Sequence, residues 1–147
     1  MRVETIYLNE ERDVTLSAWI SDVGGEFAPV ERRPAILILP GGGYAACSDR
    51  EADPVGAAYL RAGFQIFILR YSVGEHRTWP NPLDDYEQAM ETIRGNGEKW
   101  HVDVTRVAVV GFSAGGHLAA CAATVARNRP NAAILGYAAL NKEVCDV

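Results

Sequence analysis

The sequence predicts an α/β fold in which a mostly parallel sheet carries an antiparallel pair at its N-terminal edge and helices on both faces. Three observations predict it. Apolar runs at 35–39, 64–69, 107–110 and 132–135 are continuous rather than alternating, as in strands buried on both faces. Helical stretches separate these runs, the order that builds parallel strands joined by crossover helices. The segment before residue 21 alternates instead, which fits half-buried antiparallel strands.

Each element has its own local signal. Residues 3–8 are rich in β-formers, and Val14, Leu16, Ala18 and Ile20 alternate with Asp13, Thr15, Ser17 and Trp19. Asn9-Glu10-Glu11 reads as the hairpin turn between them. Residues 22–34, with Gly24-Gly25, Pro29 and Pro34, form a loop into the strand at 35–39. Asp53-Pro54 supplies an N-cap and first-turn proline for a helix that ends before Gly63, and Asn81-Pro82 does the same for the next helix. On that second helix Leu83, Tyr86, Met90 and Ile93 recur at helical spacing, while Asp84 and Asp85 sit in the first turn, where the helix dipole favours negative charge. Gly95-Asn96-Gly97 ends it. Asp103 caps the turn before the strand at 107–110, and the small apolar segment 118–126 forms a helix able to pack closely on the sheet, stopped by residues 127–130.

Composition sets the bounds. The 147 residues are expected to form a single domain, and 48% hydrophobic content is ordinary for a globular chain with a real core. A net charge of −5, from 14 Lys+Arg against 19 Asp+Glu and without runs of one sign, argues against nucleic acid or an anionic membrane as partner. The cysteines Cys47, Cys121 and Cys145 are odd in number and lack C-x-x-C spacing, so neither a disulfide framework nor a zinc site is indicated. No cofactor is expected. The N-terminus lacks the apolar core of a signal peptide, and no run approaches the roughly 18 apolar residues of a membrane span. A cytoplasmic protein is the expectation.

Two glycine-rich turns carry the chemistry. Gly111-Phe112-Ser113-Ala114-Gly115-Gly116-His117 follows Val107-Ala108-Val109-Val110 and leads into the alanine-rich helical segment. A serine on such a strand-to-helix turn takes a strained backbone that lifts its hydroxyl clear of the sheet, with small residues two positions either side to relieve crowding. The alternative is a plain glycine-rich turn with Ser113 as N-cap. Pro40-Gly41-Gly42-Gly43-Tyr44 directly follows the strand at 35–39, and consecutive glycines let backbone N–H groups face a ligand.

With Asp-Arg-Glu-Ala-Asp-Pro at 49–54, Leu-Arg-Tyr-Ser-Val at 69–73 and Pro-Leu-Asp-Asp at 82–85, these motifs make the chain resemble an α/β-hydrolase of the carbohydrate acetylesterase and hormone-sensitive-lipase-like group. Pro40 stands where lipase-like members carry histidine, which favours the acetylesterase branch. The resemblance implies a serine ester hydrolase with Ser113 as nucleophile and an oxyanion hole from the N–H groups of Gly42, Gly43 and Ala114. The substrate would be a small ester with a short acyl group, such as a sugar O-acetyl, and Tyr44 and Tyr71 are expected near the pocket mouth. The family places its acid and then its histidine after the nucleophile, but residues 114–147 hold His117 and Asp146 and no histidine beyond the next strand. The expectation is therefore a C-terminally truncated hydrolase domain with little turnover and an uncovered sheet edge prone to self-association. A degenerate hydrolase that binds without turnover and an aminopeptidase-like member of the fold are the alternatives. His117, on the same helix as Ser113, is expected in packing, and His76 and His101 in surface or structural roles.

Overall fold

The alternating N-terminal segment forms the expected hairpin: β1 (Arg2–Asn9) pairs antiparallel with β2 (Val14–Ile20). Val14, Leu16, Ala18 and Ile20 are buried, while the residues between them stay half-exposed. The turn itself lies one residue later than expected. Asn9 completes the strand and its side chain accepts the Arg12 N–H at 2.9 Å, leaving Asp13 to close the reversal with φ 55° and a bond to Glu10 O.

This computed structural model describes residues 1–140, so Cys145 and Asp146 lie outside the described residues. The continuous apolar runs become β3 (Arg33–Leu39), β4 (Gln65–Arg70), β5 (Val102–Phe112) and β6 (Ala132–Gly136). One sheet results, in the order β1-β2-β4-β3-β5-β6, with β2 antiparallel to β4 and the last four strands mutually parallel. Successive side chains of a strand face opposite layers. Leu37, Leu39, Phe67, Leu69, Val107 and Val109 therefore pack in one core with α2 (Asn81–Gly95) and α3 (Ala114–Thr124). Ile36, Ile38, Ile66, Ile68 and Val110 form the other core with residues of α1 (Asp53–Arg61).

Several local expectations are corrected. Asp53 and Asn81 do not cap their helices: Ala52 and Pro80 occupy the cap positions. Tertiary partners claim both side chains instead, since Asp53 faces Arg70 at 3.8 Å and Asn81 Nδ2 donates to His76 O at 3.0 Å. Asp84 stays exposed in the first turn of α2, but Asp85 is fully buried and is no dipole partner. Its carboxylate accepts from Arg12 Nη2 at 2.6 Å and from Ser72 N at 2.7 Å. Asp103 lies inside β5, where its side chain accepts from Thr105 N, Thr105 Oγ1 and Arg106 Nε in the stretch where the register with β3 shifts. The run at 132–135 is not covered on both faces, because β6 is an edge strand with Ile134 46% and Leu135 39% exposed.

Candidate active site

The parallel strands β3 and β5 run side by side, Leu39 opposite Gly111, so their C-terminal ends deliver two turns to one place. At the end of β5 Ser113 adopts φ 53° and ψ −116°, a conformation that costs a non-glycine residue about 1–3 kcal/mol and persists only where surroundings enforce it. They do so through three backbone bonds of 3.0 Å: Ser113 N–H to Gly136 O, and His117 N–H and Ala139 N–H to Ser113 O. The Ser113 side chain makes no capping bond to α3, so the plain N-cap alternative does not describe it. Crowding explains the small neighbours. A Cβ at Gly111 would lie 2.1 Å from Gly115 O, and one at Gly115 would lie 2.0 Å from Leu39 O.

The glycine loop presses directly on this elbow. A Cβ at Gly41 would meet Phe112 O at 2.5 Å and Ser113 Cβ at 3.1 Å. Gly42 (φ 144°) and Gly43 (φ 63°) take backbone conformations that favour glycine, and Gly42 O accepts from Ala45 N and Ala46 N to reverse the chain. The N–H groups of Gly42, Gly43 and Ala114 have no hydrogen-bond acceptor among the described residues. Gly42, Gly43 and Ser113 line one cleft of about 470 Å³ together with Ser48, Arg50, Glu51 and Tyr137. A cavity of similar size, about 480 Å³, lies at the opposite end of the strands against Pro34, Phe64, Arg106 and Asn131. Ligands of open parallel sheets bind at the C-terminal strand ends, which makes the first cleft the candidate site.

Tyr44 and Tyr71 are not at the mouth of that cleft. Both are 1% exposed, because the reversal at Gly42 turns Tyr44 beneath the loop and Tyr71 leaves β4 into the same buried layer. They brace the loop from behind: Tyr71 OH donates to Pro40 O, the two rings meet edge-on at 5.8 Å, and Tyr44 OH bonds His117 Nδ1 at 2.7 Å. His117 sits in packing as expected, 7% exposed against Trp79 and with Nε2 3.8 Å from Cys121 Sγ. Burial lowers its pKa below the ordinary histidine value, which keeps the ring neutral. His76 is on an exposed 3-10 turn beside Glu75. His101 precedes the first residue of β5 and its C=O accepts the Arg33 N–H at 2.8 Å, at the opposite end of β3 from Ser113. No hydrogen bond joins Ser113 Oγ to a histidine among the described residues.

Sequence reasoning missed Glu51 and Tyr137. Glu51 follows the glycine loop on a 3-10 turn at Asp49–Glu51, where its Oε1 accepts the Gly41 N–H at 3.0 Å and its Oε2 accepts from Tyr137 OH. Tyr137 also packs on Phe112, with ring centroids 5.8 Å apart. Nothing periodic marks a three-residue turn, and in the sequence only the Asp-Arg-Glu-Ala-Asp-Pro motif points to position 51.

The BD-FAE family profile matches residues 28–144. Among curated relatives, the acetylxylan esterase of Xylanibacter ruminicola is 31% identical over 112 residues, which is 74% of this chain and 23% of that protein. Endo-1,4-beta-xylanase B of Butyrivibrio fibrisolvens is 32% identical over 90 residues, 59% of this chain and 14% of that protein. Among solved structures, MGS-M1, an α/β-hydrolase enzyme from a Medee basin deep-sea metagenome library, has a TM-score of 0.93 at 48% identity over 96% of this chain and 58% of its own. The acetyl ester-xyloside bifunctional hydrolase from Caldicellulosiruptor lactoaceticus has a TM-score of 0.80 at 27% identity, over 93% of this chain and 57% of its own. The chain thus spans 23% or less of these two curated relatives and a little over half of these two structures.

Proposed function

The chain belongs to the BD-FAE family of α/β-hydrolases, and on that footing we propose that its cleft is the site of a serine carboxylic-ester hydrolase that removes short acyl groups, such as O-acetyl, from carbohydrate or related small esters. The observation that carries the reading is the strained Ser113, held at φ 53° facing a glycine loop in which the Gly42 and Gly43 N–H groups have no acceptor among the described residues. Ser113 Oγ attacks the ester carbonyl, and the oxygen that gains charge is received by the N–H groups of Gly42, Gly43 and Ala114. The C–O bond to the alcohol then breaks, the alcohol leaves with a proton, and water hydrolyses the acyl-serine.

A base must take the serine proton, and among the described residues no hydrogen bond joins His76, His101 or His117 to Ser113 Oγ. On this reading the base comes from outside the described residues, and the 147-residue chain alone keeps at most the residual rate of an oxyanion hole and binding. The polar lining of Ser48, Arg50 and Glu51 favours a sugar alcohol over a long hydrocarbon, and the named activity of the Xylanibacter relative points the same way. Residues 1–147 act as one domain in this proposal, with a small-molecule substrate and no nucleic-acid partner. A cytoplasmic location suits the free thiol of Cys47, and no helix among the described residues is long and apolar enough to cross a membrane.

Fluorophosphonate labelling with imidazole added as the base tests the assignment: the wild-type chain is expected to be labelled and Ser113→Ala not. Equal labelling of the two overturns it. Substrate size is read from p-nitrophenyl esters, where acetyl is expected to react faster than long acyl chains. A second reading, a degenerate hydrolase that binds without turnover, draws on the histidine positions and predicts labelling no faster than that of a surface serine.

A further inference from the structure

We propose, resting on the ester-hydrolase reading above, that Glu51 is a positioning residue whose carboxylate ties the oxyanion loop to the segment that clamps the Ser113 elbow. The need for such a tie follows from the loop itself. Three successive glycines have more backbone freedom to lose than any other run, and without a constraint the Gly42 and Gly43 N–H groups would sample many directions. The Gly41 peptide is the point of control, since it precedes both and is itself buried. Its C=O accepts the Ser48 N–H at 2.8 Å, and its N–H, which would otherwise be an orphaned buried donor, goes to Glu51 Oε1 at 3.0 Å. Glu51 is the charged member of this set, and a carboxylate acceptor makes a stronger bond than a neutral one.

The second carboxylate oxygen extends the tie. Glu51 Oε2 accepts from Tyr137 OH, and Tyr137 follows Gly136, whose C=O accepts the Ser113 N–H at 3.0 Å. The path from Gly41 through Glu51, Tyr137 and Gly136 returns to Ser113, whose Cβ would lie 3.1 Å from a Cβ placed on Gly41. Nucleophile and oxyanion donors are thereby fixed relative to one another by a single side chain. A free carboxylate lining this cleft would oppose a developing oxyanion; with both oxygens accepting hydrogen bonds, the charge of Glu51 is committed to the loop. The same engagement leaves it unsuited to act as the base.

The test compares Glu51→Ala, Glu51→Met and Glu51→Gln with wild type and Ser113→Ala in two measurements, with imidazole supplied as the base for labelling. The rate of Ser113 phosphonylation by a fluorophosphonate is expected to fall about tenfold or more in Glu51→Ala, as for a small misplacement of catalytic groups, while Glu51→Gln, which keeps the acceptor for Gly41, returns to within about threefold of wild type. Hydrogen exchange at the Gly41 amide is expected to be at least about tenfold faster in Glu51→Ala than in wild type, with core amides of β3 unchanged. Glu51→Met, of matched length and without acceptors, carries both measurements if Glu51→Ala does not fold. Labelling of the acceptor-less variant within twofold of wild type, or loss in Glu51→Gln as large as in Glu51→Ala, overturns the proposal. If Ser113→Ala and wild type label alike, the ester-hydrolase reading fails, and Glu51 is then judged on Gly41 exchange alone: faster exchange upholds the tie and unchanged exchange refutes it.

Discussion

Burial of His117 makes its protonation a stability switch of known sign. Its folded-state pKa is lowered from 6.5 by desolvation, so between that lowered value and 6.5 the unfolded chain binds more protons than the folded one. The stability this confers is fully present above pH 6.5 and is lost as pH falls below it. Urea midpoints of wild type should therefore drop on acidification relative to those of His117→Gln, and parallel pH profiles would refute this. The glycines of the site give a sharper contrast. A Cβ at Gly115 would lie 2.0 Å from Leu39 O and 2.6 Å from Pro40 O, both backbone atoms, so Gly115→Ala should cost about 3 kcal/mol or more. Gly43 has open space around its missing Cβ but φ +63°, so Gly43→Ala should cost only about 1–2 kcal/mol of backbone strain. Thermal unfolding distinguishes the two, and equal losses would show that crowding at the elbow is relieved elsewhere.

The adjacent aspartates of α2 show how elements are tied together. Arg12, in the β1–β2 turn, reaches Asp85 at 2.6 Å and Ser72 Oγ at 2.8 Å, joining the N-terminal hairpin, the end of β4 and α2. Removing one partner of a buried pair leaves an uncompensated group and typically costs about 3–5 kcal/mol. With Arg12 about a quarter exposed, Asp85→Ala should fall at or just under the lower end, about 2–3 kcal/mol. Asp84→Ala, one residue earlier on the exposed face, should change stability by under about 1 kcal/mol. Similar losses from the two substitutions would show that the buried pair contributes no more than the helix dipole. Glu87 ties α2 to the segment after α3 in the same manner, accepting from Arg127 N at 2.6 Å and Asn128 N at 3.1 Å.

For the molecule as a whole, the two sheet edges differ. β1 presents Val3 and Tyr7 among polar residues, whereas β6 and the residues after it expose Ile134, Leu135, Tyr137 and Leu140 in succession. An unpaired apolar edge is a template for strand pairing between chains. The chain is expected to self-associate through it, with a sedimentation coefficient that rises with concentration. Ile134→Lys should shift the distribution towards monomer, and an unchanged distribution would place any association elsewhere.

What the sequence by itself determined was whatever depends on neighbours along the chain. Steric limits on φ and ψ act between adjacent residues, so the Gly-x-Ser-x-Gly elbow at 111–115 and the glycine loop at 41–43 were legible, as were the alternation of β2 and the continuous runs that became β3, β4 and β5. Only the tertiary structure decided which side chains serve those turns. Glu51 meets Gly41 across 10 residues and Tyr137 across 86, and Arg12 finds Asp85 across 73. Tyr44 and Tyr71 look like pocket residues from their places beside a loop and at a strand end, yet the sense of the reversal at Gly42 and the layer behind it bury both. A partner choice of that kind is fixed by the packing of several elements at once, and no local pattern of residues encodes it.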